Sequence, residues 1–380
     1  MKPLALSSIR HQNLRKVLDL LTLTPAMTRL ELSEAAGLSQ MTVTNLVDLL
    51  KEQGVLQFKP IAREEKDRPA QGRKADAISL CGKNKAWLIV DISNRQFTMT
   101  LMGFNMAPLL ALHDDQQGEY IPRLEDFLRT SREKVLHALE NRTLLGVAIV
   151  TPGPYEISSD TVNNQRLPQL NGVKVKELFR RCLGDYDYYV DADVKFAVRA
   201  FSDKIISNQC EVLYYLYIGE GVGGAAVHSG NMLRGRNATA GDAGHLLDRN
   251  GCTYESRLNT AAFAQRLGLP ENASPEALAQ AMQGNPAHCR AILTEMAAIT
   301  TEMLHGVMWL LDPTHLIIDC PYAEPFMADF TAAVEEALAA RFAGENRQLP
   351  EIAAAAPGLG SVLRGAIRVL QRAWLERILA

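Results

Sequence analysis

The sequence predicts an α/β protein in two parts: a winged helix-turn-helix at the N-terminus, then a body of alternating strands and helices. Three observations carry this. Residues 28–56, TRLELSEAAGLSQMTVTNLVDLLKEQGVL, read as two short helices joined by a tight turn and followed by a strand. From Lys85 onward, apolar runs of strand length alternate with amphipathic helical segments. The body also divides into two halves, each opening on a hairpin-like pair of strands, as expected of two lobes around a cleft. The expected domains are residues 1–82, 83–200 and 201–380, with the last helix packing back toward the first lobe.

Each boundary of the head has a local cause. Thr28 and Glu31 form a capping box for the first helix. Leu32, Ala35 and Ala36 share a face at helical spacing, and Gly37 suits the left-handed residue past the helix end. Ser39 is an N-cap for the second helix. There Val43, Leu46, Val47 and Leu50 make an apolar stripe, with Gln40, Met41, Thr44, Asn45 and Asp48 on the other side. Leu14, Val17, Leu18 and Leu21 give a preceding helix that can pack on the pair.

Gly54 ends the second helix, Val55 to Phe58 reads as a strand, and Ala77 to Leu80 as its return. Between them Arg63, Lys66, Arg68, Arg73 and Lys74 make a long basic wing. An αα-hairpin with a polar outer face would share part of this pattern. With the wing, it points to double-stranded DNA. Gln40, Met41, Thr42, Thr44 and Asn45 would face base edges, and Arg73 and Lys74 phosphate or the minor groove.

Composition agrees. The chain has 380 residues, 47% hydrophobic and 22% charged, which is ordinary for a globular protein. Residues 1–80 hold 12 Lys/Arg against 9 Asp/Glu, and the remainder 28 against 34, so a mildly basic head sits on an acidic body. Cys81, Cys182, Cys210, Cys252, Cys289 and Cys320 are scattered, without a CxxC pair, and read as reduced thiols. No apolar run is long enough for a membrane span, and residues 1–16 lack the core of a signal peptide. The expected location is the cytoplasm.

In the body, strands are expected at 87–91, 97–102, 108–112, 144–150, 186–190, 212–218, 225–228 and 316–319. Helices are expected at 124–141, 173–182, 195–206, 325–341 and 360–379, with a largely helical stretch over 260–311.

Several of these segments carry a family resemblance. GVAIVTPGPYE (Gly146–Glu156), LYIGEGVGGAAVHSGNMLRG (Leu216–Gly235), AGDAGH (Ala240–His245) and LDPTHLIID (Leu311–Asp319), with the head and GRKADAISL (Gly72–Leu80), resemble the ROK family of repressors, open reading frames and kinases. The similarity is to its N-terminally extended regulators of sugar and amino-sugar genes. It implies a two-lobed, actin-like ATPase body with a sugar in the cleft.

The resemblance also sets what a ROK kinase would need. The phosphate loop, usually Asp-x-Gly-Gly-Thr, is Asp91-Ile-Ser-Asn-Arg95 here, without its glycines. In the block resembling Glu-Asn-Asp-Ala-Asn, the general base falls on Ala192. The second phosphate turn is kept as Gly219 to Gly224, which a tight turn between strands would also explain. No catalytic residue, and so no kinase activity, is expected. The family's zinc uses the His of Glu-x-Gly-His and three cysteines. His245 is kept, but residues 246–255, LLDRNGCTYE, hold one cysteine, so no metal or cofactor is expected. The sugar-contacting positions map to Asp191, Asp242, His245 and Glu255.

The reading is a homo-oligomeric DNA-binding regulator, a repressor of carbohydrate genes, with a small sugar as effector. A sugar kinase with a DNA-binding head, and a regulator whose body docks a protein instead of a sugar, are the alternatives.

Overall fold

The computed structural model describes residues 6–24, 26–60, 76–93, 96–114, 116–205, 211–355 and 360–379. Compactness divides the chain into two units. The first holds 1–151, 169–190 and 367–380; the second holds 152–168 and 191–366. The break near 190 falls earlier than the lobe boundary expected at 200, and a segment at 152–168 belongs with the second unit.

The first unit opens with the head. Helices α1 (Leu6–Leu23), α2 (Arg29–Ala36) and α3 (Gln40–Glu52) are followed by the antiparallel pair β1 (Leu56–Pro60) and β2 (Asp76–Leu80). Met27 bridges Ile78 and extends this pair. Leu14, Val17, Leu18 and Leu21 of α1, Leu32 of α2 and the stripe Val43, Leu46, Val47 and Leu50 of α3 are all buried. One residue differs from expectation: Ala35 is exposed, and Ser33 takes the buried place. Its hydroxyl donates to the Leu38 carbonyl at 2.6 Å, which removes the penalty of burying it.

The first unit continues with β3 (Lys85–Asp91), β4 (Thr98–Gly103), β5 (Pro108–His113), α4 (Tyr120–Leu139) and β6 (Thr143–Thr151). The short ribbon β7 (Tyr155–Glu156) and β8 (Thr161–Val162) lies in the second unit, and α5 (Val175–Leu183) returns to the first. The sheet has the order β5-β4-β3-β6-β9, where β9 is Tyr188–Ala192. Strands β3 and β6 run parallel, and both are almost continuously apolar because both faces are covered. Helix α4 begins at Tyr120, four residues before the expected start, with Pro122 in its first turn where no N–H is needed.

In the second unit, α6 (Asp193–Ala197) passes into 3-10 turns over Val198–Ile205, where a single helix was expected. Then come β10 (Val212–Ile218), β11 (Val222–His228), β12 (Asn231–Met232), α7 (Tyr254–Leu258), α8 (Thr260–Arg266), α9 (Pro275–Gly284), α10 (Pro286–Leu311), β13 (His315–Asp319), α11 (Met327–Arg341) and β14 (Glu351–Ala354). The sheet order is β12-β11-β10-β13-β14, with β13 parallel to both of its neighbours. One face of α10 fills the core with Ile292, Leu293, Met296, Met303, Leu304 and Met308, against Leu216 and Ile318 of the sheet. Helix α12 (Ser361–Leu379) begins in the second unit and ends in the first, where Trp374 meets Phe104 edge-on with ring centroids 5.0 Å apart.

Candidate functional site

In the head, α2 and α3 have every expected cap in place. Thr28 Oγ1 accepts the Glu31 N–H at 3.2 Å, and the Glu31 carboxylate accepts the Thr28 N–H at 2.7 Å, which closes the capping box. That bond from the Thr28 N–H also holds the Glu31 carboxyl below its usual range. Gly37 ends α2 at φ 63°, and Ser39 Oγ accepts the Thr42 N–H at 3.1 Å to start α3.

On the outer side of α3, Gln40, Met41 and Asn45 are exposed, while Thr42 and Thr44 are half-buried. Met41 is 78% exposed, which is far more than packing requires of so apolar a side chain. The Ser39 and Thr42 hydroxyls stand 2.8 Å apart, so Thr42 is engaged in the cap. Asp48 on the same side faces Arg29 at 3.3 Å. Arg29 at the start of α2 and Lys51 in the last turn of α3 both lie over the Phe58 ring of β1, two cations that the sequence pattern does not single out. Arg73 and Lys74, with the other wing cations Arg63, Lys66 and Arg68, lie outside the described residues.

A second constellation lies wholly in the second unit. Asp191, at the end of β9, receives a two-pronged ion pair from Arg234: Nη1 to Oδ1 at 3.0 Å and Nη2 to Oδ2 at 2.5 Å. Lys195 of α6 is buried and donates from Nζ to the Ala240 carbonyl at 2.7 Å. Burial pushes its ammonium down to about 8, with Asp191 working against the shift. His245 Nε2 stands 3.6 Å from Asp242 Oδ2. Burial lifts the Asp242 carboxyl above its usual range, His245 pulls it back and Glu255 adds to the rise. Among the described residues no donor reaches Asp242 Oδ1, although that atom is buried. Glu255 Oε2 accepts the Val222 N–H at 3.0 Å.

All four residues singled out in the sequence therefore lie in this unit, and Lys195 interacts electrostatically with both Asp191 and Asp242. Sequence reasoning missed Lys195 and Arg234. Arg234 stands 43 positions from Asp191, and no spacing pattern joins them.

At the expected phosphate loop, Asp91 is half-buried, and desolvation raises its carboxyl. It accepts the Ser93 N–H at 2.8 Å and the Ser93 hydroxyl at 2.6 Å; Asn94 and Arg95 lie outside the described residues. Ala192, at the expected base position, is buried. The Gly-rich turn is a tight hairpin. Ile218 pairs with Val222, Gly219 donates to the Gly221 carbonyl at 2.8 Å, and Gly223 and Gly224 are strand residues opposite Tyr217 and Leu216.

Comparison with known proteins places this body. The model of the ROK family matches residues 91–373. The chain belongs to the ROK family. A winged helix-turn-helix DNA-binding model matches residues 10–57, so this ROK protein carries a DNA-binding head. An uncharacterized protein, y4fQ, of Sinorhizobium fredii (strain NBRC 101917 / NGR234) is 22% identical over 236 residues, which are 60% of this chain and 58% of that protein. Among solved structures, a ROK family transcriptional regulator, a homolog of the E. coli MLC protein, is similar over 98% of this chain and 99% of its own, with a TM-score of 0.67 at 15% identity. A ROK family glucokinase from Streptomyces griseus, in complex with glucose and AMPPNP, covers 76% of this chain and 99% of its own, with a TM-score of 0.60 at 16% identity.

The zinc implied by the ROK resemblance does not fit the residues here. Asp248, in the shortened loop, already accepts three hydrogen bonds, and Cys252 is an exposed free thiol. Among the described residues no three of His, Cys, Asp or Glu converge as metal ligands would. Among them, too, no helix is long and apolar enough to cross a membrane.

Proposed function

We propose that this ROK protein is a cytoplasmic transcriptional regulator of the repressor type, acting on carbohydrate genes as a homo-oligomer and answering to a small sugar or sugar derivative. The observation that carries the DNA-binding reading is α3. It is capped at its start and buried along one stripe, and it leaves Gln40, Met41 and Asn45 exposed on the turn that such modules set against base edges. Thr44 would add a methyl contact to thymine, while Arg73 and Lys74 would hold the backbone. A dimer would place two heads about one helical turn, or a multiple of it, apart.

The sugar reading rests on the second constellation. Hydroxyl groups are donors, and the buried Asp242 Oδ1 lacks one. His245 is largely exposed beside it and free to meet a ligand. Glu255 would enter through the oxygen that the Val222 N–H leaves, and Asp191, held by Arg234 and the Ala192 N–H, would line the site beside it. The glucokinase similar in fold holds glucose, which supports a hydroxylated ligand here. A sugar that binds more tightly to one arrangement of the heads would shift operator affinity by the same factor that DNA shifts sugar affinity.

Phosphoryl transfer is disfavoured by two features. The Asp91 carboxylate is occupied by Ser93, and Ala192 offers no atom to accept a proton from a sugar hydroxyl. Footprinting of the bound DNA across a genome tests the regulator reading: discrete sites beside carbohydrate genes support it, and uniform low occupancy would overturn it. ATP consumption over a sugar panel tests the kinase alternative.

A further inference from the structure

Residues 244–255 form a hairpin closed by backbone hydrogen bonds. Glu255 N–H donates to the Gly244 carbonyl at 2.9 Å, Tyr254 N–H to Leu246 at 3.0 Å, and Asp248 N–H to Cys252 at 2.8 Å. Leu247 and Thr253 form a bridge between these rungs. The base of the hairpin is seated on β11. A Cβ at position 244 would stand 1.9 Å from the Val222 carbonyl oxygen, so only glycine permits this approach. The Val222 N–H, in turn, donates to Glu255. At the tip the Gly251 N–H donates to the Asp248 carbonyl at 3.0 Å, and one side chain adds three further bonds. Asp248 Oδ1 accepts the Asn250 and Cys252 N–H groups at 2.8 and 2.9 Å, and Oδ2 accepts Arg257 Nη1 at 2.8 Å.

Arg257 projects from α7, whose first residues, Tyr254 and Glu255, are the last of the hairpin, under the Thr253 cap. It also faces Glu302 at 3.6 Å, and its own carbonyl accepts Arg266 Nη1 at 3.1 Å. The Asp248 side chain is 1% exposed, so its three bonds are shielded from water. They tie the turn backbone to the next helix, which is the mechanical task of a bound structural ion. The N–H bond from Cys252 holds the Asp248 carboxyl below its usual range, helped by Asn250 and Arg257, so it is charged at neutral pH.

We propose that Asp248, clamped by Arg257, replaces a structural metal in this hairpin and acts as a positioning residue for Glu255 and His245, so that the proposed ligand site forms without any metal. The positioning half rests on the reading of Glu255 and His245 as ligand residues; the replacement half does not.

The test uses the full chain, produced in zinc-supplemented medium, and the Asp248→Ala and Asp248→Asn variants. Zinc content, melting temperature with and without EDTA, and amide hydrogen exchange are measured. We expect sub-stoichiometric zinc and an unchanged melting temperature in EDTA. In Asp248→Ala, exchange at Cys252 should rise roughly tenfold or more, the scale of a lost charge-assisted hydrogen bond. Exchange at Val222 should rise with it, because Glu255 loosens, while α3 stays as in the wild type. Asp248→Asn, which keeps an acceptor but loses the charge, should fall between the two. Stoichiometric zinc with a lower melting temperature on chelation would overturn the replacement. An unchanged Val222 amide beside a deprotected Cys252 would overturn the positioning role, and neither result would touch the sugar reading.

Discussion

Adjacent residues on α3 should behave oppositely. Leu46 is 3% exposed within the apolar stripe, and Asn45 next to it is exposed. Leu46→Ala leaves a cavity in the apolar stripe that α3 buries with Val43, Val47 and Leu50, and should destabilise the head by about 2–5 kcal/mol. Asn45→Ala deletes nothing from the core, and its effect on stability should stay within about 0.5 kcal/mol. Its effect on DNA is the reverse. A lost two-pronged contact to a base edge costs about 1–3 kcal/mol, roughly 5- to 150-fold in affinity, and a dimer loses it twice. The salt dependence of binding should stay nearly unchanged, because no phosphate contact is lost.

The assay is fluorescence anisotropy on a duplex chosen by in vitro selection, with a thermal melt of each variant as the control for folding. If Asn45→Ala binds the selected duplex as tightly as the wild type, or weakens selected and random duplexes equally, α3 does not read bases through this face and the reasoning fails.

Other outcomes follow from the same contacts. Asp19 of α1 accepts Arg368 Nη1 of α12 at 2.7 Å, with both side chains 14% exposed, so Arg368→Ala should cost about 1–3 kcal/mol in a chemical melt; no change would mean the pair is idle. Gly244→Ala forces a methyl against the Val222 carbonyl, and its melting temperature should drop by several degrees or more, whereas a wild-type melt would refute that close approach. Lys195 has a folded value of about 8, below its unfolded value near 10.5, so the unfolded chain binds more protons between the two. Its contribution therefore improves as pH rises from about 8 to 10, and the stability of the wild type relative to Lys195→Met should climb over that window; a flat difference would refute the buried ammonium.

The parts legible in the sequence were those set by neighbours a few residues away. Thr28 with Glu31, Gly37 and Ser39 fix the ends of two helices through bonds spanning at most a few positions, so the head could be read in detail. Strands β3, β6 and β10 announce themselves as apolar runs. Strand β14 could not be read: Glu351–Ala354 has little intrinsic strand preference, and it is a strand because β13 pairs with it. The buried place of Ser33 depends on a hydroxyl bond that the apolar pattern does not encode.

At the ligand site the split is similar. The resemblance supplied Asp191, Asp242, His245 and Glu255. The charges that now surround them, Lys195 and Arg234, arrive from other elements through the fold. In the hairpin, the lost cysteines were visible in the sequence, but the carboxylate that holds the turn in their place emerges only from the bonds of Asp248.

In the proposed function, DNA binding by the head answers to a sugar bound in the body. This coupling is tested most directly by operator affinity, measured for the full chain against a panel of sugars and sugar derivatives at fixed salt. At least one compound should shift the affinity by roughly 5- to 150-fold, and Asp242→Ala should abolish the shift while leaving ligand-free DNA binding intact. An affinity that no compound moves, with a melting temperature equally unmoved, would contradict it.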